Sequence, residues 1–454
     1  MKQLLIILFG VAIAFFAAGQ DKIKDDNTEK MKWFEDAKLG IFIHYGIYAV
    51  NGIPESWSFF REQISYEDYM KQLKGFTAKN YDAEEWAKLF KEAGAKYAVL
   101  TSKHHDGVTL WDTKLGDLSV VTKSPAKRDL IGPYAKALRS EGLKVGLYFS
   151  HLDWSHPDYN SVYHGDTRNP SPNSPFDYPL KRKEDPAAWQ RFLDFHRGQL
   201  KELYHLANPD LWWFDGAWTR TAEQWKMKEL RDTLLSWNPN AILNARMKGY
   251  GDYATPEQGI PIVAPEGPWE LCMTINDSWG YQKDDHNHKS INYLIRVFSE
   301  CISLGGNLLL DVGPMEDGTI TPEQTERLKG LGRWTSKHAE AIYGTRSGLP
   351  FGHFWGPTTL SKDGKTIYCF ILDIPRDGIV VKGIMNNVEQ VRVIGTDEQL
   401  EFERTGGAHW MNIPGVLQVD VPGEQLDENV TVVAIDLDSP LKLYRGEGGA
   451  VEND

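Results

Sequence analysis

Residues 211–216 read LWWFDG, four apolar positions that end on a carboxylate and a glycine. A run so short and wholly apolar, closed by a turn residue, reads as a strand buried on both faces, as in a parallel sheet. The same form recurs along the chain. Leu39–Ile43 is followed by His44, Tyr97–Leu100 by His104 and His105, Val145–Phe149 by Asp153, and Ala241–Leu243 by Arg246. Asn307–Leu310 adds a further run. Between the runs lie Ala83–Ala93, Tyr134–Glu141 and Ala187–Leu206; the last carries Trp189, Phe192, Phe195, Leu200 and Leu203 close to helical spacing. This alternation over residues 39–310 predicts an α/β fold, a (β/α) barrel of the TIM type. A polar residue closing each strand is how the carboxyl-end active site of a barrel shows in sequence. A doubly wound sheet would gather such residues at one switch point and usually add a Gly-rich phosphate loop, which is lacking.

The pattern changes downstream. After a helical stretch near Pro322–Ile342, short runs such as Thr366–Leu372, Gly378–Val381 and Val430–Ile435 are separated by turn residues, which predicts an all-β sandwich. A chain of 454 residues also exceeds what one core usually serves. The expected division is a catalytic barrel over residues 20–346 and a C-terminal β-sandwich over 347–454. Residues 1–19 read as a secretory signal: Lys2, an apolar stretch from Leu4 to Ala18, then small residues through Gly19. No cysteine follows that would take a lipid, and no later segment is long and apolar enough to span a bilayer. The expectation is an exported protein, periplasmic or extracellular.

Composition narrows the partners. A net charge of −13 argues against nucleic acid and anionic membranes. Sixteen Trp residues suit stacking on sugar faces, although large cores also consume Trp. Cys272, Cys301 and Cys369 are odd in number and far apart, so buried free thiols are expected. The stretch HPDYNSVYHGDTRNPSPNSPFDYP (156–179) is too long for a plain connection and reads as a loop over the barrel mouth.

Seven strings occur in order: MKWFEDAKLGIFIHYGIYAV (31–50), TSKHHDGVTLWDTK (101–114), VGLYFSHLDW (145–154), LWWFDG (211–216), GDYATPEQ (251–258), WELCMTINDSWGY (269–281) and SLGGNLLLDVGPMEDGTI (303–320). Together they resemble glycoside hydrolase family 29, the α-L-fucosidases. The resemblance implies an exo-acting, retaining hydrolase of fucosylated oligosaccharides or glycoconjugates that needs no cofactor. α-1,2, α-1,3/1,4 and α-1,6 linkages stay open. Retention requires two carboxyl groups. Asp215 matches the family nucleophile, and Arg246 and the histidines are expected to hold its pKa down. For the acid/base the resemblance favours Glu257 over Glu270, with Glu266 between them. His44, Trp57, His104, His105, Tyr148, Trp213 and Arg246 match sugar-contacting positions. His151 reads as structural. Three clustered histidines also raise a metal site, but no HxH or HExxH spacing supports one.

The chain departs from the family twice. Tyr45 stands where a Trp is usual. Ser56 stands where many members carry a sugar-binding Glu, with Glu55 one residue earlier. Either Glu55 takes that role through a shifted loop, or the contact is missing and the preference for fucose over sugars differing at C6 loosens. A protein that keeps the barrel but only binds carbohydrate is the competing reading; the presence of Asp215, Glu257 and Arg246 opposes it.

Overall fold

The computed structural model describes residues 28–61, 63–159, 185–376, 378–396, 398–444 and 446. The expected signal segment, most of the long loop and nearly all of residues 445–454 lie outside them.

Seven strands form one parallel sheet: β1 (Leu39–Ile43), β2 (Tyr97–Lys103), β3 (Lys144–Ser150), β4 (Leu211–Asp215), β5 (Ile242–Leu243), β6 (Glu270–Thr274) and β7 (Asn307–Val312). Their order is β5-β4-β3-β2-β1-β7-β6, so the sheet curls with β5 and β6 at its two edges. Residues 253–257 bridge those edges. Tyr253 pairs with Asn244 beyond β5, while Ala254 pairs with Trp269 and Glu257 with Cys272 of β6, all parallel. The N–H of Glu270 donates to Ala254 O at 2.9 Å and that of Gln258 to Cys272 O at 2.9 Å. Pro256 has no N–H to give, so this eighth element is a broken ladder rather than a regular strand. The barrel predicted from the sequence is formed.

Side-chain alternation divides the barrel into two layers. Phe42, Tyr97, Val99, Tyr148, Leu211, Trp213, Cys272 and Leu309 pack together in the interior. Their neighbours Ile41, Ile43, Ala98, Leu100, Val145, Leu147 and Phe149 pack in the surrounding core with the helices. Strands buried on both faces are why the runs show no polar alternation. Gly40 is required by this packing: a Cβ there would lie 2.4 Å from the Tyr97 ring. The helices Ala83–Glu92, Ile131–Ser140, Pro186–Ala207 and Pro322–Lys337 occur near the expected places. The Asp82 and Asp185 carboxylates accept N–H bonds at two of their starts.

The second domain has a five-stranded antiparallel sheet, β12-β15-β10-β9-β8, facing a three-stranded one, β11-β14-β13. Here β8 is Arg346–Ser347, β9 Thr358–Leu360, β10 Thr366–Ile371, β11 Ile379–Val381, β12 Val388–Val393, β13 Phe402–Thr405, β14 Val416–Val419 and β15 Thr431–Leu437. On β10 and β15, Ile367, Cys369, Val433 and Ile435 face the sandwich core. The alternate residues Tyr368, Phe370, Val432 and Ala434 pack against the barrel domain. The Trp334 indole N–H seals the junction by donating to Val430 O at 2.8 Å. All three cysteines are buried and free, as expected.

Candidate active site

The carboxyl ends of the strands surround a cavity of about 210 Å³. It is lined by Phe42, His44, Glu55, Trp57, His104, Tyr148, Trp213, Asp215, Trp218, Arg246, Glu257, Cys272 and Trp279. A larger, open depression of about 590 Å³ beside the helix Met227–Trp237 gathers no comparable set of convergent groups. Among the described residues no group of three or more His, Cys, Asp or Glu is placed to hold a metal ion.

Asp215 is the last residue of β4, and Gly216 behind it takes φ 82° in a turn that an L side chain rarely adopts. The Asp215 carboxylate accepts from Arg246 Nη1 at 2.8 Å and from the Tyr148 hydroxyl at 3.3 Å. Nη2 of the same guanidinium donates to Glu257 Oε2 at 3.0 Å, so Arg246 joins the two carboxylates. Glu257 itself stands at the exposed end of the eighth element.

The electrostatics differ from the sequence expectation. Burial pushes the Asp215 pKa up, and Arg246, the Gly216 N–H and Tyr148 oppose this without reversing it. The histidines supply no positive charge. Burial drives His44 and His104 well below the usual histidine range, and His105 down to about 3. Each is a neutral ring that offers one donor and one acceptor.

Partners set the direction of each ring. His44 Nδ1 lies 2.6 Å from Asp311 Oδ1, and burial pushes that carboxyl up while it pushes the imidazole down. With Nδ1 engaged by Asp311, Nε2 is left for a ligand. His104 is set by Ser56, its Nδ1 lying 2.6 Å from Oγ. The Ser150 hydroxyl donates to Leu152 O at 2.7 Å, so at 2.6 Å it accepts from His105 Nδ1. His105 Nε2 is then a bare acceptor 3.5 Å from Asp215 Oδ2. The adjacent pair thus splits: His104 lines the cavity and His105 lies beneath it, fully buried.

Glu55 does reach the cavity. Its Oε1 accepts from the Gly280 N–H at 2.6 Å, and burial raises its pKa against that bond. Glu270 does not reach it. As the first residue of β6 it lies at the amino end of the barrel interior, accepting from the Tyr97 hydroxyl at 2.5 Å and the Trp213 indole N–H at 2.9 Å. Glu266 is exposed and does not line the cavity either. Asp153 is held in the interior by Lys103 at 3.0 Å, and His151 by His196 at 3.0 Å.

Phe42, Trp218, Trp279 and the supporting Asp311 were not singled out from sequence, and Cys272 was read there only as a buried thiol. Trp279 and Asp311 lie inside the strings SWGY and LLLDVG, so the motifs held them, but nothing local told which side chains face the cavity.

The family model for α-L-fucosidase matches residues 16–340. The tissue α-L-fucosidase of Macaca fascicularis is 32% identical over 428 residues, covering 86% of this chain and 84% of that protein. The structure of α-L-fucosidase isoenzyme 1 from Paenibacillus thiaminolyticus superposes with a TM-score of 0.82 at 35% identity, covering 91% of this chain and all of that one. A Bacteroides thetaiotaomicron α-L-fucosidase of family GH29, seen as a trapped covalent intermediate with 2-fluoro-fucosyl fluoride, gives a TM-score of 0.79 at 29% identity, covering 90% and 96%. With its barrel, its second β domain and two carboxylates joined by one arginine at the strand ends, this chain belongs to the α-L-fucosidase family of glycoside hydrolases.

Proposed function

We propose that the cavity takes one terminal α-L-fucose of an oligosaccharide or glycoconjugate and hydrolyses its bond with retention. The observation that carries the reading is Arg246 donating to Asp215 and Glu257 together. In the first step an Asp215 oxygen bonds to the anomeric carbon, the glycosidic C–O bond breaks, and Glu257 passes its proton to the leaving oxygen. In the second step Glu257 takes a proton from water, the water oxygen bonds to the anomeric carbon, and the Asp215 ester bond breaks. Arg246 favours the ionised Asp215 that the first step consumes. His44, Glu55 and His104 supply hydroxyl contacts, with His105 packed beneath them, and Trp57, Tyr148 and Trp213 supply walls. Phe42 and Trp279, 6.1 Å apart, add an apolar corner. It suits a methyl group better than a hydroxymethyl group, which supports a 6-deoxy sugar over one oxygenated at C6. A segment led by Lys2 and apolar from Leu4 to Ala18 supports export.

Treatment with 2-fluoro-fucosyl fluoride tests the reading. The sugar is expected on the peptide that carries Asp215, and Asp215→Gly should be folded, unlabelled and nearly inactive. Labelling at another carboxylate would remove the assignment.

A further inference from the structure

We propose that Trp218 is the platform on which the saccharide next to fucose stacks, so that this enzyme favours saccharide leaving groups over very small ones. The proposal rests on the fucosidase reading of the cavity. Of the residues that line it, only Trp218 and Glu257 are exposed, and the rest are buried or half-buried. These two therefore mark the mouth. Glu257 is the group that protonates the departing oxygen, so the departing sugar leaves past it, and Trp218 forms another part of the same rim.

The ring is held in place. Trp218 stacks on Trp57 with centroids 6.1 Å apart and planes 20° from parallel, and it meets His105 edge-on at 5.8 Å. Trp57 is wedged edge-on against Phe60 at 5.3 Å and Trp154 at 5.4 Å. The turn that carries Trp218 is pinned on both sides. The Trp225 indole donates to Ala217 O at 3.1 Å, and the hydroxyls of Tyr159 and Thr219 are 2.8 Å apart. Trp57 covers one face of Trp218, yet the residue remains 42% exposed, while its neighbours Ala217 and Thr219 are buried. A rigid aromatic ring with a free face at the exit of a sugar cavity fits a pyranose that presents a face of C–H bonds. Preorganisation means that little side-chain entropy is lost when the sugar binds.

The test compares Trp218→Ala and Trp218→Phe with the wild type on two substrates, fucosyl fluoride, which has no aglycone ring, and a fucosylated galactoside. For Trp218→Ala, kcat/KM on the galactoside should fall about tenfold, mainly through KM, a size typical of one lost ring contact. Turnover of fucosyl fluoride should stay within about twofold, and Trp218→Phe should recover most of the loss on the galactoside. A parallel fall on both substrates would overturn the proposal, because Trp218 would then support the cavity itself. An unchanged galactoside rate would overturn it as well. A wild-type enzyme inert to fucosyl fluoride would instead remove the fucosidase reading on which the platform depends.

Discussion

The Ser56 hydroxyl lies 2.6 Å from Nδ1 of His104, while Glu55, one residue earlier, is the side chain that lines the cavity. Serine is too short to replace a glutamate that touches sugar; here it orients a histidine. Ser56→Ala would leave a buried ring nitrogen without its partner, at a cost of about 1–3 kcal/mol. The expected result is a loss in fucoside kcat/KM of about tenfold, with Ser56→Thr close to the wild type. Steady-state kinetics on one aryl fucoside decides it, and an unchanged Ser56→Ala would mean that His104 is oriented by its other contacts alone.

Glu55→Ala tests the shifted contact. Its carboxyl is already fixed by the Gly280 N–H, so the group is preorganised for a sugar hydroxyl. Removing it should lower kcat/KM about ten- to a hundredfold. Glu55→Gln, which keeps an acceptor for Gly280, should lose less. If both variants match the wild type, Glu55 supports the loop and does not bind sugar.

How far the sequence was legible follows from what each element asks of its residues. β1 to β4 were visible because parallel strands buried on both faces demand unbroken apolar runs, and a polar side chain follows or ends each of them. β6 was hidden because it opens on a buried glutamate, whose burial depends on Tyr97 and Trp213, far away in the chain. The eighth element was hidden because Pro256 breaks its ladder and its pairing is set by partners on β6. The reach of Glu55 was undecidable for a similar reason, since its partner Gly280 is 225 residues away. The expectation that histidines would lower the Asp215 pKa failed because burial, invisible in sequence, had already discharged them.

The pH dependence of stability should report on Glu270. Burial raises its pKa from the ordinary carboxyl range to about 7, against the bonds from Tyr97 and Trp213. The folded state then binds its proton more tightly than the unfolded state does. The contribution is complete below about pH 4.5 and is lost as pH rises through about 7. Over that window it amounts to at most about 3 kcal/mol. Denaturant unfolding at pH 5 and pH 8 should show wild-type stability falling more than that of Glu270→Gln, which cannot ionise. Equal slopes would mean that the carboxyl is not the titrating group.

The acid/base assignment separates Glu257 from Glu270 in a single kinetic series. Glu257 shares Arg246 with Asp215 at the cavity mouth, whereas Glu270 lies at the amino end of the barrel with both oxygens engaged. Loss of the general acid slows poor leaving groups by about 10²–10⁴-fold but spares activated aryl oxides, which depart without a proton. Glu257→Ala should therefore hydrolyse a fucosylated sugar far more slowly while keeping the first step on a dinitrophenyl fucoside. Azide should then accelerate that variant and give α-fucosyl azide, because it attacks the fucosyl-enzyme from the face the water normally uses. In Asp215→Gly azide replaces the nucleophile itself, so the product should be the β-azide. Glu270→Gln, far from the anomeric carbon, should show neither the leaving-group dependence nor an azide product. If Glu270→Gln shows both and Glu257→Ala neither, the proton is delivered from the barrel interior and the role passes to Glu270.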